Sequence, residues 1–276
     1  MAVPNPLRVE LGQRLRTYRE RAKITLAQVD GDPRLGWYPG KASKVELGQR
    51  VPAAAEIYRL CDLLAVTPDE RDQVMSLAAA ARRRTRMPAH VPDWAQSFVM
   101  FEQSASRIDY HDEVLIPGML QAPGYARDLL TQGGVDDVEQ RVAERLVRGQ
   151  LLRRDDGPRA RIVLGEAALR RLPVDPDAAR EQLEHLLDAA AWPNVEIRIL
   201  PFRAGLHPLL GIGCTVVRLE DPAVVRVYLE GATTSTYLHE PDEVKRYESL
   251  LDQLWPLAAS TTESANILRR CIQQLG

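Results

Sequence analysis

Helix caps and helix breakers crowd the first 82 positions so closely that this stretch can hold only short helices. Asn5 is placed to cap a helix whose first position is Pro6, where a missing N–H costs nothing. Leu7, Leu11, Leu15, Tyr18 and Ala22 then recur at helical spacing and give one apolar face. Thr25 caps a second helix that runs to about Asp30, where Gly31, Asp32 and Pro33 break it. Proline clashes with the preceding turn, so no regular helix continues through residue 33. Leu35-Gly36-Trp37 reads as a turn and Pro39 to Glu46 as a third helix. Residues 47–52 form a loop, and Pro52 opens a fourth helix carrying Ile57, Leu60, Cys61 and Leu64. Thr67-Pro68-Asp69-Glu70 is a capping box ahead of Val74, Leu77, Ala78 and Ala81. Five short helices in this span predict a compact all-α domain over 5–82.

The remaining pattern is of a different kind. Residues 82–93, RRRTRMPAHVPD, are basic and carry two prolines, which predicts a linker at 83–93. Beyond it the periods mix, predicting an α+β domain over 94–276. Trp94, Phe98, Phe101, Ala105 and Ile108 make a helical stripe, and Tyr110 to Ile116 reads as a strand. Helices are expected at about 125–131, 135–153 and 177–190. Short β-branched runs predict strands at Arg161–Leu164, Val195–Leu200, Cys214–Leu219 and Val224–Leu229. Two amphipathic helices follow, one with Val244, Tyr247, Leu251 and Leu254, the other behind the capping box Ser260…Glu263.

A chain of 276 residues is long for one domain and comfortable for two. Its net charge of −2 hides an asymmetry. Residues 1–86 hold 16 basic and 10 acidic side chains, a net of +6, and the rest carries −8. A basic module joined to an acidic one fits polyanion binding at one end only. No run reaches the ~20 apolar residues of a membrane span, and MAVPNPLRVE lacks the apolar core of a secretory signal. Cys61, Cys214 and Cys271 are widely separated, without metal or redox spacing, so a reduced, cytoplasmic protein is expected.

The helix at 39–46 is unusual in its outward face. Ala42 and Val45 can face the core, while Gly40, Lys41, Ser43 and Lys44 offer short or basic side chains to the outside. A recognition helix needs that, because it must enter the major groove and reach base edges. The ordered set Gly12-x-x-Leu15-Arg16-x-x-Arg19, Thr25-x-x-Gln28-Val29, Ser43-Lys44-Val45-Glu46-x-Gly48 and Val51-Pro52 resembles the lambda-repressor-like, or XRE-type, helix-turn-helix family. The resemblance implies binding of double-stranded DNA, with Gln28 near a phosphate, Lys41, Ser43 and Lys44 in the groove, and Arg16 and Arg50 as backbone clamps. It departs from the family at Lys23, where glycine is usual, at Asp30, where a small alanine is usual, and in a longer stretch from Thr25 to Gly36.

Downstream, Phe101-Glu102, Ile116-Pro117-Gly118-Met119-Leu120-Gln121-x-Pro123-x-Tyr125-Ala126, Arg141-x-x-x-Arg145-Leu146-x-Arg148-x-Gln150, Glu166-Ala167-Ala168-Leu169-Arg170 and Pro193-Asn194-Val195-x-Ile197-Arg198-Ile199-Leu200-Pro201 follow in order. This is similar to the C-terminal domain of unknown function in the WhiJ-like actinobacterial XRE regulators, and the likeness covers nearly the whole chain. It implies a homodimeric, nucleoid-associated transcription regulator whose second domain receives a small-molecule effector or a small acidic protein encoded nearby. An antitoxin-like protein that binds such a partner and represses its own operon is the alternative.

No cofactor, metal or catalytic set is expected. His111-Asp112-Glu113 and His239-Glu240 lack the spacing that puts two ligands on one helix face, and His207 has no suitable sequence neighbour. Each of these histidines reads as a surface or satisfied side chain. No nucleophile elbow, P-loop or dinucleotide fingerprint occurs, so the chain is expected not to be an enzyme. Glu166, Arg170 and Glu230 read as surface charges or as polar pocket residues. Arg141, Arg145 and Arg148 can share one helix face, where they either dock a partner or pair with Glu139 and Glu144.

Overall fold

The computed structural model describes residues 6–82, 93–220, 224–231 and 235–275. The chain divides into two compact units. One holds residues 1–87 with 95–101 and 219–224, the other residues 88–94, 102–218 and 225–276. The expected cap Asn5 and the expected linker, but for Asp93, lie outside the described residues.

The first unit contains five helices in its N-terminal stretch: α1 (Pro6–Arg21), α2 (Leu26–Asp30), α3 (Lys41–Glu46), α4 (Ala54–Leu63) and α5 (Pro68–Arg82). The stripe Leu7, Leu11, Leu15 and Tyr18 is buried as its spacing demands. Thr25 and Gln28 cap α2 reciprocally, and Gly31 ends it before Pro33. Two starts differ from the pattern. α3 begins at Lys41, because Pro39-Gly40 forms a turn with Gly40 at φ 85°. α4 begins at Ala54, because Glu56 reaches back to the Ala53 N–H at 2.8 Å. α1 and α5 are tied by Arg21, which donates to both Glu70 oxygens at 2.7 and 2.9 Å. Arg21 first, and the Thr67 cap after it, bring the Glu70 carboxyl down to about 2.

Two glycines set how closely α1 and α3 approach. A Cβ on Gly12 would stand 2.3 Å from the Glu46 carbonyl oxygen. Gly48, at φ 69°, leaves room for α1 backbone, since a Cβ there would stand 2.7 Å from the Val9 nitrogen. Both positions therefore exclude side chains.

In the second unit a six-stranded sheet has the order β3-β2-β1-β4-β5-β6. Its strands are β1 (Arg107–Asp112), β2 (Arg159–Gly165), β3 (Val195–Leu200), β4 (Cys214–Leu219), β5 (Val224–Glu230) and β6 (Ser235–Leu238). β1, β2 and β3 run parallel, β4 runs antiparallel to β1, and β5 pairs antiparallel with β6. Helix α6 (Asp93–Gln103) is divided, residues 95–101 counting with the first unit, and the second unit's other helices are α7 (Pro123–Gln132), α8 (Val138–Gly149), α9 (Pro176–Ala189), α10 (Pro241–Leu254) and α11 (Thr261–Gln273). Alternation along the strands builds two apolar layers. Ile108, Ile162, Leu164, Ile197 and Ile199 pack with Leu183 and Leu186 of α9 and with Ile267 and Leu268 of α11. Val163, Cys214, Val216 and Val227 pack with Val244, Leu251 and Leu254 of α10.

Several expectations are corrected here. The stripe Trp94 to Ile108 splits, because α6 stops at Gln103 and Ile108 lies in β1. The first strand is not Tyr110–Ile116. The Asp112 carboxylate accepts from the Val114 and Leu115 N–H groups at 2.7 and 2.9 Å and turns the chain out of the sheet. α8 ends at Gly149 and tightens into a 3-10 turn over Gln150–Arg153. β6, with the short mixed run STYL, carried no pattern strong enough to predict it.

Candidate nucleic-acid interface

α3 has six residues, too few to hold its position by its own hydrogen bonds. Three side-chain contacts with other elements seat it. The Asp30 carboxylate at the end of α2 accepts from the Gly40 N–H at 2.6 Å and the Ala42 N–H at 2.8 Å. Gly40 has no side chain to cap α3, so Asp30 supplies the cap from a different helix. Arg19 of α1 grips Glu46 with both donors, at 2.6 and 3.0 Å, and also reaches the Ile24 carbonyl at 3.0 Å. Ala42 and Val45 are 3% and 2% exposed and fill the underside.

Lys41 is the third anchor, which corrects its expected place on the outward face. It is only 6% exposed. Its ammonium pairs with Glu56 of α4 and lies 4.6 Å from the Trp37 ring centroid. Glu56 also accepts from the Trp37 indole N–H at 2.9 Å. Burial acts to raise the Glu56 carboxyl, but the bonds from Lys41, Ala53 and Trp37 outweigh it and hold the group below the usual carboxylate range. A carboxylate 15 residues downstream turned this lysine inward.

On the solvent side stand Ser43, half-buried, and the exposed Lys44 and Arg50. The structure brings Tyr38 to them. It is 43% exposed, with the Lys44 ammonium 5.5 Å and the Arg50 guanidinium 6.0 Å from its ring centroid. Arg50 also donates to the Tyr38 hydroxyl at 3.4 Å. Sequence reasoning missed Tyr38, although it directly precedes the Pro39-Gly40 turn into α3. Gln28 is exposed, its carbonyl oxygen taken by Thr25. Arg16 is exposed on α1 and pairs with Glu20 at 2.8 Å. Asp30 had shown only as a departure from a family pattern, and that departure was its signal.

In the second unit Arg145 and Arg148 of α8, read either as a docking face or as partners of Glu139 and Glu144, bond other groups. Arg148 grips the buried Glu102 with two bonds, at 2.7 and 3.0 Å, and is 14% exposed. Arg145 donates to Gln121. Burial, then the neighbouring Arg148, brings its guanidinium down to about 10. Glu139, one of the two expected partners, is held by Arg127 at 2.6 and 3.0 Å. Arg145 thereby braces the Pro117–Gly124 loop, while Arg148 ties α8 to α6. Gln121 donates to the Ile116 carbonyl at 2.8 Å, and Gln182 of α9 bonds the Ala122 N–H and the Leu120 carbonyl.

His111 is fully buried, so of its two readings, surface or satisfied, the surface one does not hold. One ring nitrogen contacts the Val163 carbonyl at 3.1 Å, and the other has no hydrogen-bond partner. His207 does have neighbours: its ring is 5.7 Å from that of His111, and it contacts Glu113 at 2.8 Å. Burial lowers the His111 pKa, so the ring is neutral near pH 7. His239 sits beside Glu240 at 3.3 Å. Among the described residues no three His, Cys, Asp or Glu side chains are placed to hold a metal ion. No described helix is long and apolar enough to cross a membrane.

A family model described as a domain of unknown function (DUF5753) matches residues 95–270. A second, described as a helix-turn-helix domain, matches residues 10–74. No curated protein and no solved structure matched the chain.

Proposed function

The chain belongs to the DUF5753 family and carries a helix-turn-helix domain ahead of that region, and from this premise we propose that it is a transcription regulator reading duplex DNA with α3. The observation that carries the reading is the division of polar side chains around this helix. Asp30, Arg19–Glu46 and Lys41–Glu56 fasten its inner side. Ser43, Lys44, Tyr38 and Arg50 are left on the outer side. In this reading Ser43 and Lys44 reach base edges, while Gln28, Arg16 and Arg50 meet phosphates. Arg16 contributes less than Arg50, because Glu20 already shares its charge. Lys41 positions α3 and does not touch DNA.

Residues 5–82 then form the DNA-binding module, 83–93 the tether, and 94–276 the domain that receives an effector or partner. The pattern of motifs supports a WhiJ-like, actinobacterial XRE-type regulator acting as a homodimer on the nucleoid in the cytoplasm. A pair of modules would place two α3 helices in successive major grooves. The test is selection of duplex sites by the intact chain, followed by titration of the best site. Lys44→Ala is expected to cost about 1–3 kcal/mol and to relax preference at one base pair. Arg50→Ala is expected to weaken all sequences alike and to lower the salt slope by about one. Parent-like affinity in a folded K44A/R50A variant overturns the assignment.

A further inference from the structure

We propose that a cavity at the carboxyl ends of β2 and β3 binds a small oxyanion, a carboxylate or a phosphate, and that this anion is the effector. The effector role rests on the regulatory reading above; the anion site does not. β2 ends at Gly165 and runs into a 3-10 turn over Glu166–Leu169, and β3 ends at Leu200 ahead of another over Phe202–Ala204. Between these turns and α11 lies a cavity of about 160 Å³, lined by Arg170, Arg203 and Arg270 and by Glu166 and Gln274. In sheets with parallel strands, ligands bind outside the carboxyl ends. Ile267 of α11 gives the cavity an apolar wall and is 8% exposed.

The charge of this cavity is unbalanced. Three guanidinium groups line it against one carboxylate. That carboxylate is already engaged: Glu166 accepts from the Phe202 N–H at 3.1 Å and from Arg170 at 3.4 Å. Arg170 is also held by Gln274 at 2.7 Å, so one cationic fork is fixed in place. The guanidinium groups of Arg203 and Arg270 are exposed and have no hydrogen bond or ion pair among the described residues. The carboxylate that feels Arg203 is Glu263, which is occupied in capping α11 on Ser260. An oxyanion in the cavity would satisfy forks from two separate elements, the turn after β3 and α11.

Size restricts the occupant. The cavity is smaller than the ~300–1,000 Å³ of drug-sized sites, so it suits an inorganic oxyanion or an acid of a few carbons.

The experiment is calorimetric titration of the intact chain with sodium phosphate and, separately, with succinate, at constant ionic strength in chloride. Saturable one-site binding of either probe is expected, and the tighter of the two identifies the anion class. Arg203→Glu with Arg270→Glu should weaken it at least tenfold, and the milder R203A/R270A pair should do so several-fold. Arg246→Glu, on exposed α10 surface, should change it less than twofold. No saturable binding above chloride, or parent-like binding by both double variants, overturns the site. DNA titrations of the same preparation separate the two claims. A change in DNA affinity at saturating probe supports the effector role, and an unchanged affinity overturns that role while leaving the anion site. Failure to bind any DNA would sink the regulator reading without touching the calorimetric result.

Discussion

Two basic helices in this chain look alike on paper and end in opposite states. α3 with the loop behind it carries Lys41, Lys44 and Arg50; α8 carries Arg141, Arg145 and Arg148. Lys41 and Lys44, three apart, and the three arginines of α8, four and three apart, are spaced to share a helix face. In the first, Lys41 turns inward and Lys44 and Arg50 stay outside. In the second, Arg148 and Arg145 turn inward onto Glu102 and Gln121. Helical period does not explain the difference. A carboxylate or amide on another element, remote in sequence, decides which cation is withdrawn. Which cation of such a set is withdrawn is therefore decided by partners that only the fold brings near.

Breaking the two inward pairs should give the largest effects. Arg148→Ala leaves the Glu102 carboxylate, 2% exposed, without its bidentate partner. Removing one member of a buried pair costs about 3–5 kcal/mol. We expect a loss of that order in urea unfolding of the intact chain, with a lower midpoint and an unchanged slope. Lys44→Ala, by comparison, should stay within ~0.5 kcal/mol of parent stability while impairing DNA binding. A stable R148A protein would mean that α8 tolerates an unpaired charge, and the contrast between the helices would fail.

Lys41→Ala should fall between these two. Its partner Glu56 remains 24% exposed, so solvent screens part of the loss. A destabilisation of about 1–2 kcal/mol is expected, together with a weaker DNA complex at every sequence. A shift in base preference at one position, with stability unchanged, would restore Lys41 to the groove.

The helical frame was largely legible, because caps and breakers act locally. Thr25–Gln28, Thr67–Glu70 and Ser260–Glu263 each close the reciprocal cap their spacing announces. What the sequence hid depends on contacts far apart along the chain. Asp30 caps a helix that begins eleven residues later, Glu102 meets Arg148, and Glu113 meets His207. The end of β1 was misread for a related reason. Val114, Leu115 and Ile116 have strand propensity, but the Asp112 side chain offers their backbone a competing turn.

A pH titration tests a buried group that no carboxylate pair stabilises. Burial first, with His207 adding to it, lowers the His111 pKa against the raising effects of Val163, Asp112 and Glu113. Cys214, its register partner on β4, is a buried thiol pushed up to about 12 and stays neutral. His185 is lowered as well, by burial and then by Arg153. A base with a depressed folded pKa binds more protons when unfolded, so stability rises with pH in that window. The contribution is full above the ordinary value of 6.5 and is lost as pH falls below it toward the folded value. Urea midpoints of the intact chain should therefore fall from pH 7.5 to 5.5. His111→Gln should flatten that slope in part, leaving the share of His185. An unchanged slope in the variant would show that His111 does not titrate in this window.

The smallest effect concerns a lysine that belongs to neither class. Lys23 lies between α1 and α2 at φ 56° and is exposed. Its N–H donates to the Glu20 carbonyl at 3.0 Å, and its side chain has no hydrogen bond or ion pair among the described residues. Left-handed backbone costs a non-glycine residue about 1–2 kcal/mol, while glycine adopts it without steric penalty. Glycine also loses more chain entropy on folding, roughly 0.5–1 kcal/mol, so the two effects partly cancel. Lys23→Gly should raise stability by up to ~1 kcal/mol, and Lys23→Val should lower it, since a branched Cβ fits this region worst. DNA affinity should stay within twofold of parent in both folded variants, because the role of residue 23 is to turn the backbone between helices. A K23G variant that folds more stably but binds DNA several-fold more weakly would place Lys23 beside Lys44 and Arg50 as a cation that reaches the polyanion.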